Sequence, residues 1–180
     1  MVEFRKAIIP DEIEALCDFD RKAFHRHPQD LFTREQWEEY ESYWMVVDSQ
    51  VVGCSAFVHN ADYTERPRPS CLYIVSTGVA PEFQRRGFGY QQKAWQIEYA
   101  KQRGFRTIVT NMRESNERII RLNTKFGFTV KKLDPRYYSD GEPCVVMELD
   151  LTGTYKCPQC GKPLRTPRAK QCRFCHADWH

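Results

Sequence analysis

A short glycine loop constrains the fold of this chain more than any other feature: residues 84–89 read QRRGFG. A run rich in β-branched residues, 72–80, precedes the loop, and a helical segment that stops at Gly104 follows it. Residues 105–110 are the next predicted strand. A strand, a glycine loop, a helix and a strand in this order form a parallel βαβ unit with a right-handed crossover. We therefore expect a pair of parallel strands.

The loop also indicates a chemistry. Glycines let backbone N–H groups approach a phosphate, and the N-terminus of the following helix favours negative charge. No Gly-Lys-Ser/Thr sequence follows, which excludes a Walker loop, and Gln92 stands where a Rossmann fingerprint needs its third glycine. Taken alone, the loop fits a pyrophosphate cradle and an ordinary strand-to-helix turn equally well.

The sequence around the loop resembles a known family. From Tyr73 to Phe128 the chain is similar to the GNAT superfamily of acyl-CoA N-acyltransferases, with STGVAPEFQRRGFG at the strand and loop. A second block continues the resemblance through TIVTN and the spacing of the next helix, which is carried by Asn116, Ile119, Ile120, Leu122, Lys125, Gly127 and Phe128. Two separate blocks thus agree.

The resemblance implies a fold, a cosubstrate and a set of binding residues. The implied fold is α/β (α+β), a mixed and mostly antiparallel sheet flanked by helices, with the parallel βαβ unit at the cofactor site. The fourth and fifth strands would splay apart to admit acetyl-CoA, the backbone of Val79 would face the thioester, and Asn116 would hydrogen-bond near the pantetheine. The pyrophosphate would rest on the cofactor-binding residues Gln84, Arg85, Arg86, Gly87, Phe88 and Gly89. The amine would lie on the opposite side, near the early helices and residues 25–32.

The catalytic residues are harder to assign. Many GNAT enzymes have a tyrosine general acid seven residues after the asparagine, where this chain has Asn123, and an amide cannot supply that proton. Asn123 falls on the apolar helix face, so we expect a buried amide satisfied by backbone groups. Candidate bases are Tyr73, Glu82 and Glu114, which also fit a sheet residue, a solvated loop charge and a helix-start carboxylate. Tyr137 and Tyr138, in the loop that follows, are candidate acids.

The remaining elements follow from periodicity and from turn and cap residues. Predicted strands cover residues 3–9, 43–48, 51–59, 128–132 and 145–151, and predicted helices cover 10–24, 34–42 and 115–126. Thr33 and Gln36 have capping-box spacing, and residues 48–50 mark a hairpin. Residues 25–32 and 60–70 are predicted connections.

The helix after the glycine loop carries two apolar stripes, whereas a helix covered only by a sheet needs one. The first stripe holds Tyr90, Ala94, Ile97 and Ala100, and the second holds Phe88, Trp95 and Tyr99. We expect a neighbouring helix of the same domain to cover the second stripe. The C-terminal tail and a second subunit, which would give a homodimer, are the alternatives.

The last 28 residues form a separate unit of the sequence. Cys157, Cys160, Cys172 and Cys175 form C-x2-C-x11-C-x2-C, which can place four thiolates around one Zn2+. Gly161 lets the first knuckle turn, whereas the second half lacks a glycine. A structural zinc would stabilise a segment too short to build its own core. We predict a catalytic domain over residues 1–152 and a zinc ribbon over 153–180.

The ribbon also holds the basic excess. Residues 1–152 contain 21 Lys and Arg against 23 Asp and Glu, whereas residues 153–180 contain six basic residues and only Asp178. A basic zinc ribbon can contact nucleic acid or protein, or it can rest on the catalytic domain as a cap through Phe174 and Trp179. The cap is favoured because basic and aromatic residues do not interleave as a stacking platform would require.

Composition and hydropathy indicate a globular cytoplasmic protein. Hydrophobic residues make up 41% of the chain, enough to bury a core, and no apolar run approaches the roughly 20 residues that cross a bilayer. The sequence thus predicts an N-acetyltransferase that transfers acetyl from acetyl-CoA to a small-molecule or peptide amine, in a ternary complex. The alternative is an acyl-CoA-binding module without turnover, which the basic ribbon recruits to protein or nucleic acid.

Overall fold

The computed structural model describes residues 1–24, 28–153, 157–162, 164 and 170–178. The β-strands of the described residues are β1 (Val2–Lys6), β2 (Glu41–Val47), β3 (Gln50–Ala61), β4 (Pro67–Val79), β5 (Thr107–Arg113), β6 (Thr129–Asp134) and β7 (Cys144–Asp150). The α-helices are α1 (Ile13–Ala23), α2 (Arg34–Glu39), α3 (Phe88–Gln102) and α4 (Glu117–Lys125). Short 3-10 turns occur at Pro28–Asp30 and Pro81–Phe83.

The strands form a seven-stranded sheet in the order β1-β2-β3-β4-β5-β7-β6. β4 and β5 run parallel, with Cys71 opposite Thr107, and every other neighbouring pair in this sheet is antiparallel. The crossover between the parallel strands contains α3, as the βαβ order requires. The predicted mixed, mostly antiparallel fold with one parallel unit is confirmed.

Local residues explain where the elements begin and end. The capping box forms, with the Thr33 hydroxyl accepting from the Gln36 N–H and the Gln36 side chain accepting from the Thr33 N–H. Gly127 follows α4 with φ +87°, the left-handed conformation that suits glycine after a helix. Asp48 and Ser49 both have positive φ, which matches the twist of a tight hairpin between β2 and β3.

Several element ends differ from the prediction: β1 ends at Lys6 instead of residue 9, and α2 ends at Glu39 instead of residue 42 because β2 begins at Glu41. The largest difference lies between β3 and β4. Residues 60–70 were expected to connect two strands, but β3 extends to Ala61 and β4 begins at Pro67, so the connection is only residues 62–66. The pairing continues past an irregularity between His59 and Ala61, where the Asn60 side chain accepts from the Ser70 N–H. Within the predicted loop 25–32, residues 25–27 lie outside the described part of the chain.

The core has two layers, one on each face of the sheet. On one face the buried residues of α1 and α2 are Ile13, Leu16, Phe19 and Trp37, which pack with Tyr73, Val109 and Val146 of the strands. On the other face the helical residues Ile97, Tyr99 and Ala100 pack with Leu72, Ile74, Ile108 and Met147. The sheet therefore separates an α1–α2 side from an α3–α4 side. No helix in the described residues is long and apolar enough to cross a membrane.

The expectation that a neighbouring helix covers the second apolar stripe of α3 is wrong. Trp95 stacks on Phe4 of β1, with parallel rings whose centroids are 4.2 Å apart, and Tyr99 stacks on Phe57 of β3 at 4.7 Å. The sheet itself covers Trp95 and Tyr99, because β1 to β3 extend under α3, whereas the ring centroid of Phe88 lies 6.4 Å from that of Phe83 in the preceding 3-10 turn. The neighbouring helix α4 instead meets the first stripe, where Tyr90 contacts Phe126 with ring centroids 4.6 Å apart.

A largely buried carboxylate ties the C-terminal half of α3 to the start of β2. Glu41 starts β2, and its side chain is only 16% exposed. Burial acts to raise the pKa of Glu41, but hydrogen bonds from Tyr99, Tyr43 and Lys6 outweigh it and lower the pKa to about 2. The groups around this carboxylate are Lys6 (3.1 Å), Tyr43 (2.8 Å), His59 (2.8 Å), Tyr99 (2.8 Å) and Arg103 (3.5 Å).

We predict that Glu41→Gln lowers the free energy of unfolding by about 2–4 kcal/mol, because the amide keeps only one acceptor oxygen and no charge for the surrounding hydroxyls and cations. Urea denaturation at neutral pH measures the change. The wild-type contribution should also fade as the pH falls from 4.5 toward 2, since the folded pKa lies below the unfolded one.

The matched control is Glu117→Gln on α4, which breaks a pair with Arg121 in which both side chains are at least 70% exposed. This variant should lose less than about 0.5 kcal/mol. Equal losses for the two variants would show that Glu41 does not anchor α3.

Candidate active site and metal centre

The candidate active site begins where the two parallel strands stop pairing. The β4–β5 ladder ends at Ile74 and Thr110, although β4 continues to Val79. On its other edge β4 carries a bulge, because Ala56 pairs with Ser76 while Phe57 pairs with Ile74, which leaves Val75 as an extra residue. On its other edge β5 stays paired with β7 up to the pair of Arg113 and Cys144. The strands therefore separate and leave one edge of β4 without a β partner.

The backbone of Val79 lies at this free edge. The N–H of Ala80 donates to the carbonyl of Val52 in β3 at 2.9 Å, so the N–H of Val79, one residue earlier in an extended chain, points away from β3 toward the gap. The Val79 carbonyl accepts from Gln84 Nε2 at 3.2 Å. The strand end and the glycine loop are thus joined directly.

The glycine loop presents its backbone at the start of α3. Arg85 and Gly87 both have positive φ, at +62° and +84°, and Gly87 is the N-cap residue. The N–H of Gln84 donates to the Pro81 carbonyl, so this residue of the predicted cradle has no free amide. The N–H groups of residues 85–89 meet no acceptor within the described residues. A Cβ on Gly87 would have no atom within 4 Å, so the space beside the loop is open.

Buried polar side chains position α3 over the gap. Gln92 Nε2 donates to the Cys54 carbonyl at 2.7 Å and to the Ser55 hydroxyl at 2.9 Å. Gln96 Nε2 donates to the hydroxyls of Ser55 (2.9 Å) and Thr77 (2.8 Å). The hydrophobic pattern does not predict these contacts, since both amides lie outside the two apolar stripes. They fix the helix to β3 and to the unpaired half of β4.

Lys93 on the same helix is fully buried. Its ammonium lies 5.3 Å from the ring centroid of Phe128. Burial lowers the pKa of Lys93 to about 7, far below that of a solvated lysine. A helix next to the gap therefore buries an amine whose charge depends on pH near neutrality.

The two asparagines of α4 have different surroundings. Asn116 is the exposed N-cap residue, and its Oδ1 accepts from the Ile119 N–H at 3.3 Å. Asn123 is buried as predicted, but backbone groups do not satisfy its side chain. Its Nδ2 contacts the sulfurs of Met112 (3.6 Å) and Met147 (3.9 Å), and its Oδ1 has no hydrogen-bond partner in the described residues. The cause is that side chains of β5 and β7 surround this helix face.

Three polar groups meet on the α1–α2 side of the gap. The Tyr73 hydroxyl donates to Asn111 Oδ1 at 2.7 Å, and the Tyr137 side chain lies close to both residues. Burial raises the pKa of both tyrosines, so they are neutral hydroxyls at pH 7. Asn111 directly follows Thr110, the last residue that pairs with β4. Asn111 ends the TIVTN block of the sequence, but local pattern does not predict its contact with Tyr73, because the two residues come from distant segments.

The second tyrosine and the other candidate bases have structural partners. Tyr138 lies under the Arg113 guanidinium, 4.1 Å from ring to cation. Glu82 forms a surface ion pair with Lys22 at 2.6 Å, as expected for a loop charge. Glu114 is exposed, and its backbone N–H donates to the Pro143 carbonyl. Of the candidate catalytic groups, Tyr137 lies beside both Tyr73 and Tyr138, and its ring centroid is 5.0 Å from that of Tyr138.

Arg113 joins the loops that border this side. Its guanidinium pairs with Asp30 at 2.7 Å, Asp140 at 2.7 Å and Glu142 at 2.8 Å. Asp30 belongs to the turn before α2, whereas the other two carboxylates belong to the β6–β7 loop. The end of β5 thus holds both loops in place around the Tyr73–Asn111–Tyr137 group.

The four tail cysteines meet in one cluster. Their Sγ atoms all lie within 4.8 Å of one another, with 3.7 Å between Cys157 and Cys175 and 3.6 Å between Cys160 and Cys172. A tetrahedral zinc with Zn–S bonds of about 2.3 Å requires S–S distances of about 3.8 Å. The donor set and its spacing fit a thiolate-bound metal.

The two halves of the cluster have nearly the same backbone. The backbone N–H of Cys157 donates to the Lys162 carbonyl at 2.8 Å, and the backbone N–H of Cys172 donates to the Ala177 carbonyl at 3.0 Å. Gly161 follows the first pair with φ +68°, and His176 follows the second with φ +57°. The missing second glycine is therefore accommodated, because His176 itself adopts the left-handed conformation.

Backbone N–H groups also point at the sulfurs. The N–H groups of Gln159 and Cys160 lie 3.4 Å from the Cys157 sulfur, and that of Phe174 lies 3.4 Å from the Cys172 sulfur. Such bonds stabilise thiolates and are typical of metal knuckles.

Comparison with known proteins assigns the fold. The model of the acetyltransferase (GNAT) family matches residues 10–128, and the chain belongs to this family. A sequence comparison with curated proteins finds no match.

Solved structures share the architecture. The ribosomal-protein-S18-alanine N-acetyltransferase from Escherichia coli has a TM-score of 0.68 at 20% identity, covering 83% of this chain and 94% of that one. An acetyltransferase from Bacillus subtilis in complex with CoA has a TM-score of 0.66 at 23% identity, covering 84% and 99%. The NatC complex bound to Gag peptide and CoA reaches 0.67 at 16% identity, covering 84% and 99%. At these identities the likeness shows the fold alone.

The environment of Asn123 leads to a prediction. Asn123→Leu should change the free energy of unfolding by no more than about 1 kcal/mol, because it replaces an amide with an unpaired oxygen by an apolar group of similar size. Asn123→Asp should cost more than about 3 kcal/mol, since it places a charge among apolar side chains. Urea denaturation measures both.

The same leucine variant tests the chemistry. With an amine that the wild-type protein acetylates, turnover of Asn123→Leu should fall less than about 10-fold, because the amide that it replaces does not act as a general acid near neutral pH. A loss beyond about 100-fold at unchanged acetyl-CoA affinity would show that Asn123 orients the reaction.

Proposed function

We propose that this protein is an N-acetyltransferase that transfers acetyl from acetyl-CoA to an amine in a ternary complex. The observation that carries the proposal is the gap between β4 and β5, with the free N–H groups of residues 85–89 at one end. Membership of the acetyltransferase family supports transfer chemistry. The complex of the Bacillus subtilis relative with CoA supports a CoA thioester as donor.

The residues around the gap fit such a cosubstrate. The backbone amides from Arg85 to Gly89 and the N-terminus of α3 would bind the pyrophosphate, and Arg85 and Arg86 would add positive charge. Asn116, whose Oδ1 already caps α4, would offer its Nδ2 to the pantetheine. The N–H of Val79 would donate to the thioester carbonyl and stabilise the negative charge that develops there.

The reaction itself requires little covalent help from the protein. The amine nitrogen bonds to the acetyl carbonyl carbon, the carbon–sulfur bond breaks, the ammonium proton leaves, and the CoA sulfur takes up a proton. Holding amine and thioester together in the gap would supply a large part of the acceleration. Tyr73, Asn111 and Tyr137 would face the amine, and their neutral groups can accept or donate hydrogen bonds to it.

The acceptor would enter from the α1–α2 side, because α3 and α4 occupy the other face. Two structural relatives are named for a protein alanine and for a bound peptide, so peptide N-termini belong in any acceptor panel together with small amines. Thiol release from acetyl-CoA over this panel tests the proposal. Tight acetyl-CoA binding without thiol release would favour the non-catalytic module.

Gly87→Glu should weaken acetyl-CoA binding at least about 30-fold, because it places a side chain and a negative charge beside the pyrophosphate amides. Isothermal titration calorimetry measures the affinity. Gly87→Ala isolates backbone strain, since φ is +84° at this position.

Gly141→Glu is the matched control, because Gly141 also has positive φ, +81°, with open space at its Cβ. This variant should bind acetyl-CoA as the wild type does. Unchanged affinity in Gly87→Glu would refute the pyrophosphate site.

We further propose that residues 153–180 form a zinc ribbon appended to an acetyltransferase domain over residues 1–152. Cys157, Cys160, Cys172 and Cys175 would be the ligands, and the metal would hold the two knuckles together. The cap function suggested for the tail rests on Phe174 and Trp179, of which Trp179 lies outside the described residues.

The purified protein should contain about one zinc per chain, and Cys160→Ser or Cys172→Ser should remove it. Cys17→Ser is the control, since this thiol lies on α1 outside the cluster. Plasma emission spectrometry gives the metal content. Absence of metal from protein prepared without chelator would contradict the proposal.

A further inference from the structure

We propose that the ribbon carries a binding site for single-stranded RNA, centred on Phe174. Phe174 lies between the second pair of cysteines and is 42% exposed. An exposed phenylalanine offers an aromatic face on which an unpaired base can stack. The proposal adds a ligand to the ribbon and rests on its metal-loaded fold.

The folded knuckles place cations against this ring. Lys162 Nζ lies 5.0 Å from the Phe174 ring centroid, and the Arg173 guanidinium carbon lies 4.6 Å from it. Lys162 follows the first cysteine pair and is 12 residues away in sequence, so only the closed cysteine cluster brings it to the ring. The fold therefore adds a second cation, Lys162, to the pair of Arg173 and Phe174 that is already adjacent in the sequence.

The surface around the ring suits a polyanion. Residues 158–162 and 173–176 are all exposed, and they contain Gln159, Lys162, Arg173 and His176 but no acidic residue. Residues 153–180 contain six Lys and Arg and only Asp178 as an acid, whereas residues 1–152 have an acidic excess. Charge complementarity thus favours a phosphate backbone at the ribbon rather than elsewhere on the chain.

The aromatic ring would bind a base, and the two cations would bind the phosphate backbone. Both cations are on exposed residues, so a base that stacks on Phe174 can displace one of them toward the neighbouring phosphate. Stacking on a single ring discriminates weakly among bases, because every base has a π-face. We therefore expect binding with little sequence preference. Unstacked bases are accessible in single-stranded RNA, whereas a duplex keeps the faces of its bases inside the stack.

The test uses the full-length, zinc-loaded protein and a fluorescein-labelled oligouridylate of about 12 nucleotides, within the usual site sizes. Fluorescence anisotropy should show saturable binding at about 50 mM salt that weakens as salt rises. Phe174→Leu keeps the apolar volume but removes the ring, and should weaken binding about 5- to 100-fold. Phe174→Trp should retain the wild-type affinity.

Charge variants test the second part of the site. Lys162→Gln and Arg173→Gln should each weaken RNA binding. Each should also reduce the slope of log affinity against log salt concentration by about one, the effect of losing one phosphate contact. Lys131→Gln removes an exposed charge from β6 and should leave the affinity within about 2-fold. Equal affinity of Phe174→Leu and wild type would overturn the proposal, because binding would then be electrostatic only.

Zinc content and acetyl-CoA affinity, measured on the same preparations, separate this proposal from the proposed function. A variant that keeps its zinc and its acetyl-CoA affinity but loses RNA supports the site. If the zinc-loaded wild-type protein binds no oligouridylate at about 50 mM salt, the RNA proposal is overturned, whatever the acetyltransferase activity. An acidic protein surface would then be the partner that suits the positive charge of the ribbon.

Discussion

The separation of β4 from β5 after Ile74 and Thr110 is the constraint on which the rest of the site depends. A parallel ladder continued to Val79 would satisfy the backbone of β4 and leave no room for a ligand. The extra residue in β4, Val75, and the pairing of β5 with β7 turn the two strands apart. Backbone polar groups at the free edge then need partners from a ligand or water, because unpaired buried groups are costly.

The helix over the gap is held by polar contacts as well as by apolar packing. Gln92 and Gln96 donate to one carbonyl and two hydroxyls of β3 and β4, while Trp95 and Tyr99 stack on aromatic rings of β1 and β3. Hydrogen bonds are more directional than apolar contacts, so these amides fix the position of the helix along the strands. The N-terminus of α3, with the glycine loop, is thereby kept at the mouth of the gap.

Much of the fold followed from the sequence, since each element carried its own local signal. The βαβ order, the capping box at Thr33 and the glycine after α4 predicted elements that the structure contains, with small shifts at their ends. The long hairpin of β3 and β4 was shortened in the prediction because Pro67 and Pro69 are typical of loops. These prolines lie at the start of a strand, a position that tolerates them.

The sequence by itself determined the family resemblance, the glycine loop and the two cysteine pairs, because each is a short motif whose spacing carries its geometry. Tertiary structure alone decided the contacts between distant segments: the Tyr73–Asn111–Tyr137 group, the sulfur environment of Asn123, and the placement of Lys162 against Phe174. Local pattern records which face a residue occupies, not which residue of another segment lies opposite. That partner is set by strand register and loop closure, which depend on the packing of the whole chain.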